Sequence, residues 1–403
     1  MKIAFSATVL ARGLAGSGID GIGSYTRDLG AALADAGAPR QAGTPAGAVD
    51  PSRIVPDRLP ESVTVIPVGF GVDVPQDAIP GAASAQRLPA YASSAVRSAL
   101  LPVRFDAGPL PALGVDLFHA TDHLVPRFAD LPVVATLMDA IPLSHPEWVR
   151  TRFAPLKRWL WRRAAGWADR ILTISTYSKG QLVEHFGLPD DRIDVTPLGV
   201  DPRRFERIAR DERLRVLRRL GLPEGFFLSV GTLQPRKNVE RALDAHARLP
   251  ERLREALPFV VVGRAGWGCE LLVRRLEAAD AQPGSGVRWL RYLPEHDLAV
   301  LMQSASALVF PSLCEGFGLP VVEAFAAGLP VVTSNTTSLP EVAEGAALLV
   351  DPMRVDAITE AMVEIIDSPG LASRLVESGH RRARALSWSA CAKATLACYR
   401  RVL

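Results

Sequence analysis

Residues 307–328 read ALVFPSLCEGFGLPVVEAFAAG, and the change of pattern inside this stretch sets the fold. ALVFPS is an unbroken apolar run, as expected of a parallel strand covered on both faces. PVVEAFAAG has helical spacing, with Pro320 suited to a first turn and Gly328 to an end. Strand, glycine-rich turn, helix is half of a βαβ unit, and the alternation recurs along the chain. In the first half KIAFSAT (2–8), SVTVIPV (62–68), VDLFHAT (115–121), LPVVATLM (131–138), RILTIST (170–176) and RIDVTPLG (192–199) read as strands. In the second half FFLSVGT (226–232), FVVVGRA (259–265), VRWLRYL (287–293), ALVFPS (307–312), PVVTSN (330–335) and AALLVD (346–351) do so. Two such sets predict an α/β protein of two Rossmann-like, doubly wound domains, residues 1–205 and 212–387. The boundary falls in 200–222, which is charged and has no strand. The Ala-, Pro- and Gly-rich region 38–110 yields only the strand at 62–68 and is expected to include a mobile loop.

The totals fit that plan. At 403 residues the chain exceeds what one core holds. A net charge of +3, balanced along the chain, gives no basic arm and argues against a nucleic-acid partner. Four cysteines with no CxxC spacing point to a reducing compartment and away from structural zinc. MKIAFSATVLARG reads as a first strand rather than a signal peptide, and no apolar run reaches the roughly 18 residues of a membrane span. The expected location is therefore cytoplasmic.

Glu315 falls in the turn and Glu323 in the first turns of the helix. Between them the amides of Gly316, Phe317, Gly318 and Leu319 point out of a helix N-terminus, which favours phosphate. Carboxylates beside an anion site make sense for a ligand with phosphates in the middle and hydroxyl-rich groups at either end, since ionised carboxylates only accept hydrogen bonds. A nucleotide sugar has that shape. The plain alternative, that both acids merely complement the helix dipole, does not need the GFG between them. GTLQPRKN (231–238) makes the same point: Arg236 and Lys237 precede a helix, where cations are disfavoured unless an anion joins them. Both loops leave the C-terminal ends of strands, the ligand edge of an open α/β sheet.

These residues resemble glycosyltransferase family 4, retaining enzymes of the two-domain GT-B fold. The resemblance runs through GIGSYTRDL, FHATDH, ISTYSK, TPLGVDPRRF, VGTLQPRKN, VFPSLCEGFGLPVVEAFAAGLPVVTSNTTSLPEV and SWSACAKATLACYRRVL. It implies a deep interdomain cleft and a last helix, 388–403, that crosses back to complete the first, acceptor-side domain. It gives Glu315 the donor sugar's hydroxyls, Glu323 the ribose, and Arg236 with Lys237 the diphosphate. The amides of 316–319 would hold sugar and phosphate, with Gly23 approaching from the first domain. Gly21, Gly231, Thr232, Met138, Asp139 and Tyr292 complete the donor-side set. The implied reaction moves a hexose, mannose from GDP-mannose first, with retention and no obligatory metal or other cofactor. The acceptor would be a glycan or lipid-linked sugar in polysaccharide or glycolipid assembly.

Two positions depart from the family pattern: Thr232 stands where an arginine is common, and Met138-Asp139 where His-Asp is usual. The second leaves open a catalytically impaired, nucleotide-sugar-binding subunit. His119, Asp122 and His123 follow a first-domain strand and are candidates for the acceptor side. The segment 150–163, RTRFAPLKRWLWRR, reads either as a face for an anionic membrane or as a helix covering the first sheet with its tryptophans inward. The second is favoured because Pro155 interrupts the periodicity, so peripheral contact with the inner membrane face is the lesser expectation. Gly16-Ser-Gly18-Ile-Asp-Gly21 matches GxGxxG, but the strand ends near residue 8, too early for a dinucleotide turn.

Overall fold

The computed structural model describes residues 1–16, 18–36, 62–148, 153–282 and 284–403. Among the described residues a first sheet has seven parallel strands: β1 Lys2–Ser6, β2 Thr64–Phe70, β3 Gln86–Leu88, β4 Leu117–Ala120, β5 Val133–Thr136, β6 Arg170–Thr173 and β7 Ile193–Val195. Their order is β3-β2-β1-β4-β5-β6-β7. A second sheet holds β8 Phe227–Val230, β9 Phe259–Val262, β10 Val287–Leu290, β11 Ala307–Phe310, β12 Val331–Ser334 and β13 Leu348–Val350, ordered β10-β9-β8-β11-β12-β13. Both are doubly wound Rossmann-like sheets, in which the chain returns through helices on either face.

Alternation along the strands divides the first core. Ile3, Phe5, Leu117, Val134 and Leu172 face the helices Gly21–Ala36 and Trp388–Arg400. Ala4, Phe118, Ala120, Val133 and Ile171 face the helices Tyr91–Leu100, Ala154–Ala165 and Thr176–Phe186. The final helix crosses back to the first domain and lies along the 21–36 helix. Its Tyr399 hydroxyl meets His119 Nδ1 at 2.6 Å, and His119 Nε2 meets Thr136 Oγ1 at 2.8 Å. Tyr25 joins the same threonine at 2.7 Å. A side chain on Gly199 would run into the backbone of Trp388, so the crossing requires that glycine.

The structure corrects several expectations. Of the region 38–110, in which a mobile loop is expected, residues 62–110 hold β2, β3 and the 91–100 helix, and the rest lies outside the described residues. The linker carries the helix Arg210–Leu220, packed on the helix Glu295–Ser304. Pro155 interrupts nothing, because it sits in the first turn of the 154–165 helix. Only Trp161 turns inward, while Trp159 is exposed; residues 150–152 lie outside the described set. A helix, Thr8–Ala15, directly follows β1, so the GxGxxG match is not a strand-to-helix turn. Among the described residues no helix is long and apolar enough to cross a membrane.

Candidate active site between the two sheets

The turn after β11 is built by glycines. Gly318 has φ 104°, in the left-handed region, and a side chain there would also strike Leu339. Gly316 lies against the first domain: a Cβ on it would sit 3.1 Å from Asp139 Cβ and 3.2 Å from the Met138 carbonyl. Asp139 also accepts from the Ile141 amide at 3.0 Å, and burial pushes its carboxyl up against the pull of Arg236.

Glu315 is buried between two cations. Lys237 Nζ donates to Oε1 at 2.6 Å and Arg236 Nη1 to Oε2 at 2.8 Å. Burial alone would raise this carboxyl, but the charges of Lys237 and Arg236 outweigh it and hold its pKa down at about 2. Burial in turn presses the Lys237 ammonium below its usual range, with Glu315 opposing. The cations sit on the turn Pro235–Lys237 just before the helix Val239–Ala247. Asn238, at φ 57°, anchors that turn by donating to the Pro311 and Pro352 carbonyls at 2.9 and 2.7 Å. Gly231 and Gly263 let the β8 and β9 turns touch, since a Cβ on Gly263 would overlap the Gly231 carbonyl. Thr232 is exposed, and Arg236 brings the charge to this turn.

Glu323 faces a cavity of about 280 Å³ that Gly21 and Trp388 also line, so both domains contribute to it. Its Oε1 accepts from Arg204 Nη2 at 3.2 Å. Burial raises the Glu323 carboxyl and Arg204 lowers it. Arg204 comes from the interdomain turn Pro202–Phe205 and is not among the site residues expected from the sequence. Gly23 donates its amide to Asp20 at 2.8 Å, while Gly21 is open to the cleft. Tyr292 is exposed, its ring covered by the Arg264 guanidinium at 4.9 Å.

A second contact, also missed, holds the donor loop to the first domain. The Gly316 carbonyl accepts from the hydroxyls of Ser175 at 2.7 Å and Ser178 at 3.2 Å. Glu341, on the helix Leu339–Ala343, accepts from the first amides of the 176–186 helix, Thr176 at 3.1 Å and Tyr177 at 3.0 Å. A carboxylate of one domain thus caps a helix N-terminus of the other.

Both candidate histidines pack within the first domain. His119 is fully buried with both ring nitrogens engaged, and burial lowers its pKa to about 3. His123 stacks on Phe186 and tilts against Trp161, under the helices, and burial lowers it to about 4. Asp122 accepts from the Leu124 amide at 2.7 Å, leaving Oδ2 without a partner, and burial raises its pKa to about 6.

Residues 19–204 match the pattern described as Glycosyltransferase Family 4, and residues 214–382 that of Glycosyl transferases group 1. The O-antigen chain mannosyltransferase B of Escherichia coli is 36% identical over 70% of this chain and 71% of its own length. The MMP alpha-(1->4)-mannosyltransferase of Mycolicibacterium hassiacum is 30% identical over 72% of this chain and 66% of its own. Among solved structures, a sucrose-phosphate synthase from Thermosynechococcus elongatus aligns with a TM-score of 0.70 at 21% identity, over 100% of this chain and 98% of that one. The alternating sheets, the paired loops and these matches agree: the chain belongs to glycosyltransferase family 4, with the two-domain fold of that family and a mannosyltransferase-like sequence.

Proposed function

We propose that this glycosyltransferase moves a hexose, mannose first, from a nucleoside-diphosphate donor with retention and without a metal ion. The acceptor in this reading is a glycan or lipid-linked sugar. The observation that carries it is the Lys237–Glu315–Arg236 cluster beside the amides of 316–319, closed over by Met138 and Asp139 of the first domain. A diphosphate arriving there competes with Glu315 for both cations. As it takes them, the carboxylate is freed to accept from the sugar's hydroxyls. Arg236, Lys237 and the loop amides then stabilise the departing diphosphate, as preorganised charges in a site of low dielectric. Glu323 takes the ribose, releasing Arg204. The likeness to two mannosyltransferases supports the choice of sugar.

Met138 carries a second reading, a donor-binding subunit without turnover, because a thioether has no proton to give where the family pattern has an imidazole. The two readings part on one experiment. The protein is incubated with GDP-mannose, UDP-glucose and ADP-glucose in EDTA, with and without simple mannosides. Nucleotide release and the anomeric configuration of the product are followed by NMR. Release from GDP-mannose with an α-linked product is expected. Binding without release, in the unaltered protein, would favour the second reading, and release that needs an added divalent ion would overturn the metal-free mechanism.

A further inference from the structure

The 91–100 and 154–165 helices pack side by side and turn their inner faces to the same core cluster, so their outer faces share one side of the first domain. Those outer faces are unusual. At 100° per residue, Leu156, Trp159, Arg162 and Arg163 fall within an arc of roughly 120° on one helix, and Val96, Arg97 and Leu100 share one face of the other. Leu100 is 68% exposed, Leu101 55%, Leu156 54% and Trp159 42%. Large apolar side chains are thus gathered on water rather than scattered singly.

On the two helices themselves the charge has one sign, with Asp106 and Asp169 standing just beyond the segments that carry them. Segments 86–105 and 153–168 contain no aspartate or glutamate. Their basic residues are Arg87, Arg97, Arg104, Lys157, Arg158, Arg162 and Arg163. Arg87 pairs with Asp73, and Arg162 donates to the His185 carbonyl at 2.8 Å. Arg97, Lys157 and Arg163 have no carboxylate partner among the described residues, while Arg104 lines a cavity with Asp130 and Asp169. The nearest acid on the adjoining 176–186 helix, Glu184, points to Gln181 and His185.

We propose that this face docks on an anionic lipid bilayer. Leucines and a tryptophan enter the headgroup boundary while arginines and a lysine meet lipid phosphates, each making use of what the other leaves unsatisfied in water. The helices themselves are held by the buried alanines and aromatics beneath them, so docking needs no refolding. The inference stands apart from the donor site and from which acceptor is used.

The test is co-sedimentation of the full chain with vesicles of one part phosphatidylglycerol to two parts phosphatidylcholine, against phosphatidylcholine alone. Partitioning into the anionic vesicles is expected, weakening as salt rises. The double substitution Leu156→Glu with Trp159→Glu, and separately Lys157→Gln with Arg163→Gln, should each reduce it about tenfold or more. Both variants should keep the parent thermal midpoint, because all four side chains are on the surface. Equal binding to both vesicle types, or binding unaltered by either variant, would overturn the proposal. Absence of binding to either would overturn it too, and would leave an acidic protein surface as the occupant.

Discussion

Glu315→Gln should lower the thermal midpoint by on the order of 10 °C, because unpairing buried charges costs about 3–5 kcal/mol and a domain this size moves a few degrees per kcal/mol. It should also cut transfer by about 100-fold or more, as losing one preorganised polar group at a reacting centre does. The cause is local: one carboxylate holds Lys237 at 2.6 Å and Arg236 at 2.8 Å in a buried setting. An amide of the same shape leaves two cations facing each other. The pH dependence has a definite sign. The folded pKa of about 2 lies below the ordinary glutamate value of 4.5, so the ionised carboxylate's contribution is complete above about pH 4.5. It is lost as pH falls through the folded value. Parent and variant should therefore differ most near neutrality and converge on acidification from pH 4.5 towards 2. Thermal scans across that range check it, and a constant gap would show that the stabilisation does not come from the carboxylate's charge.

Glu341→Ala should weaken donor binding by roughly tenfold or more while leaving the thermal midpoint nearly unaltered. Glu341 accepts from the amides of Thr176 and Tyr177 across the domain boundary. Hydrogen bonds to a charged group contribute about 1.5–3 kcal/mol, and each 1.4 kcal/mol is tenfold in an equilibrium constant. Neither domain's core includes this side chain, so the change falls on the balance between joined and parted domains. Apparent affinity scales with the joined fraction. Ser178→Ala removes a separate arm of the contact, the 3.2 Å bond to the Gly316 carbonyl, and should act in the same direction but less, since Ser175 remains. Donor titration with small-angle scattering measures both variants. Unaltered affinity and radius of gyration in Glu341→Ala would contradict the role.

Much of the fold was legible because its sheets are parallel and covered on both faces. Strands such as FVVV (259–262) and ALVF (307–310) are buried throughout, and their apolar runs stand out from the helices. β3 was missed because it is a three-residue edge strand, Gln86–Leu88, with only Leu88 buried. The Thr8–Ala15 helix was missed because it follows β1 after a single residue. At the site, the two loops and their charges were visible because each is local in sequence. Arg204 and Glu341 were not, since each acts on a residue more than 100 positions away. His119 is a different case: strand alternation puts it on the same face as Leu117, towards the last helix, and that period could have placed it in the core.

In the proposed reaction the cluster around Glu315 grips a nucleoside diphosphate through Lys237. The most direct measurement is the thermal midpoint in EDTA with GDP, UDP, dTDP or ADP, for the parent and for Lys237→Ala. A ligand at about 100 times its dissociation constant adds roughly 2.7 kcal/mol, several degrees for domains of this size. A rise with one base, GDP first, that Lys237→Ala removes is expected. A rise that survives Lys237→Ala, or none with any of the four, would contradict it.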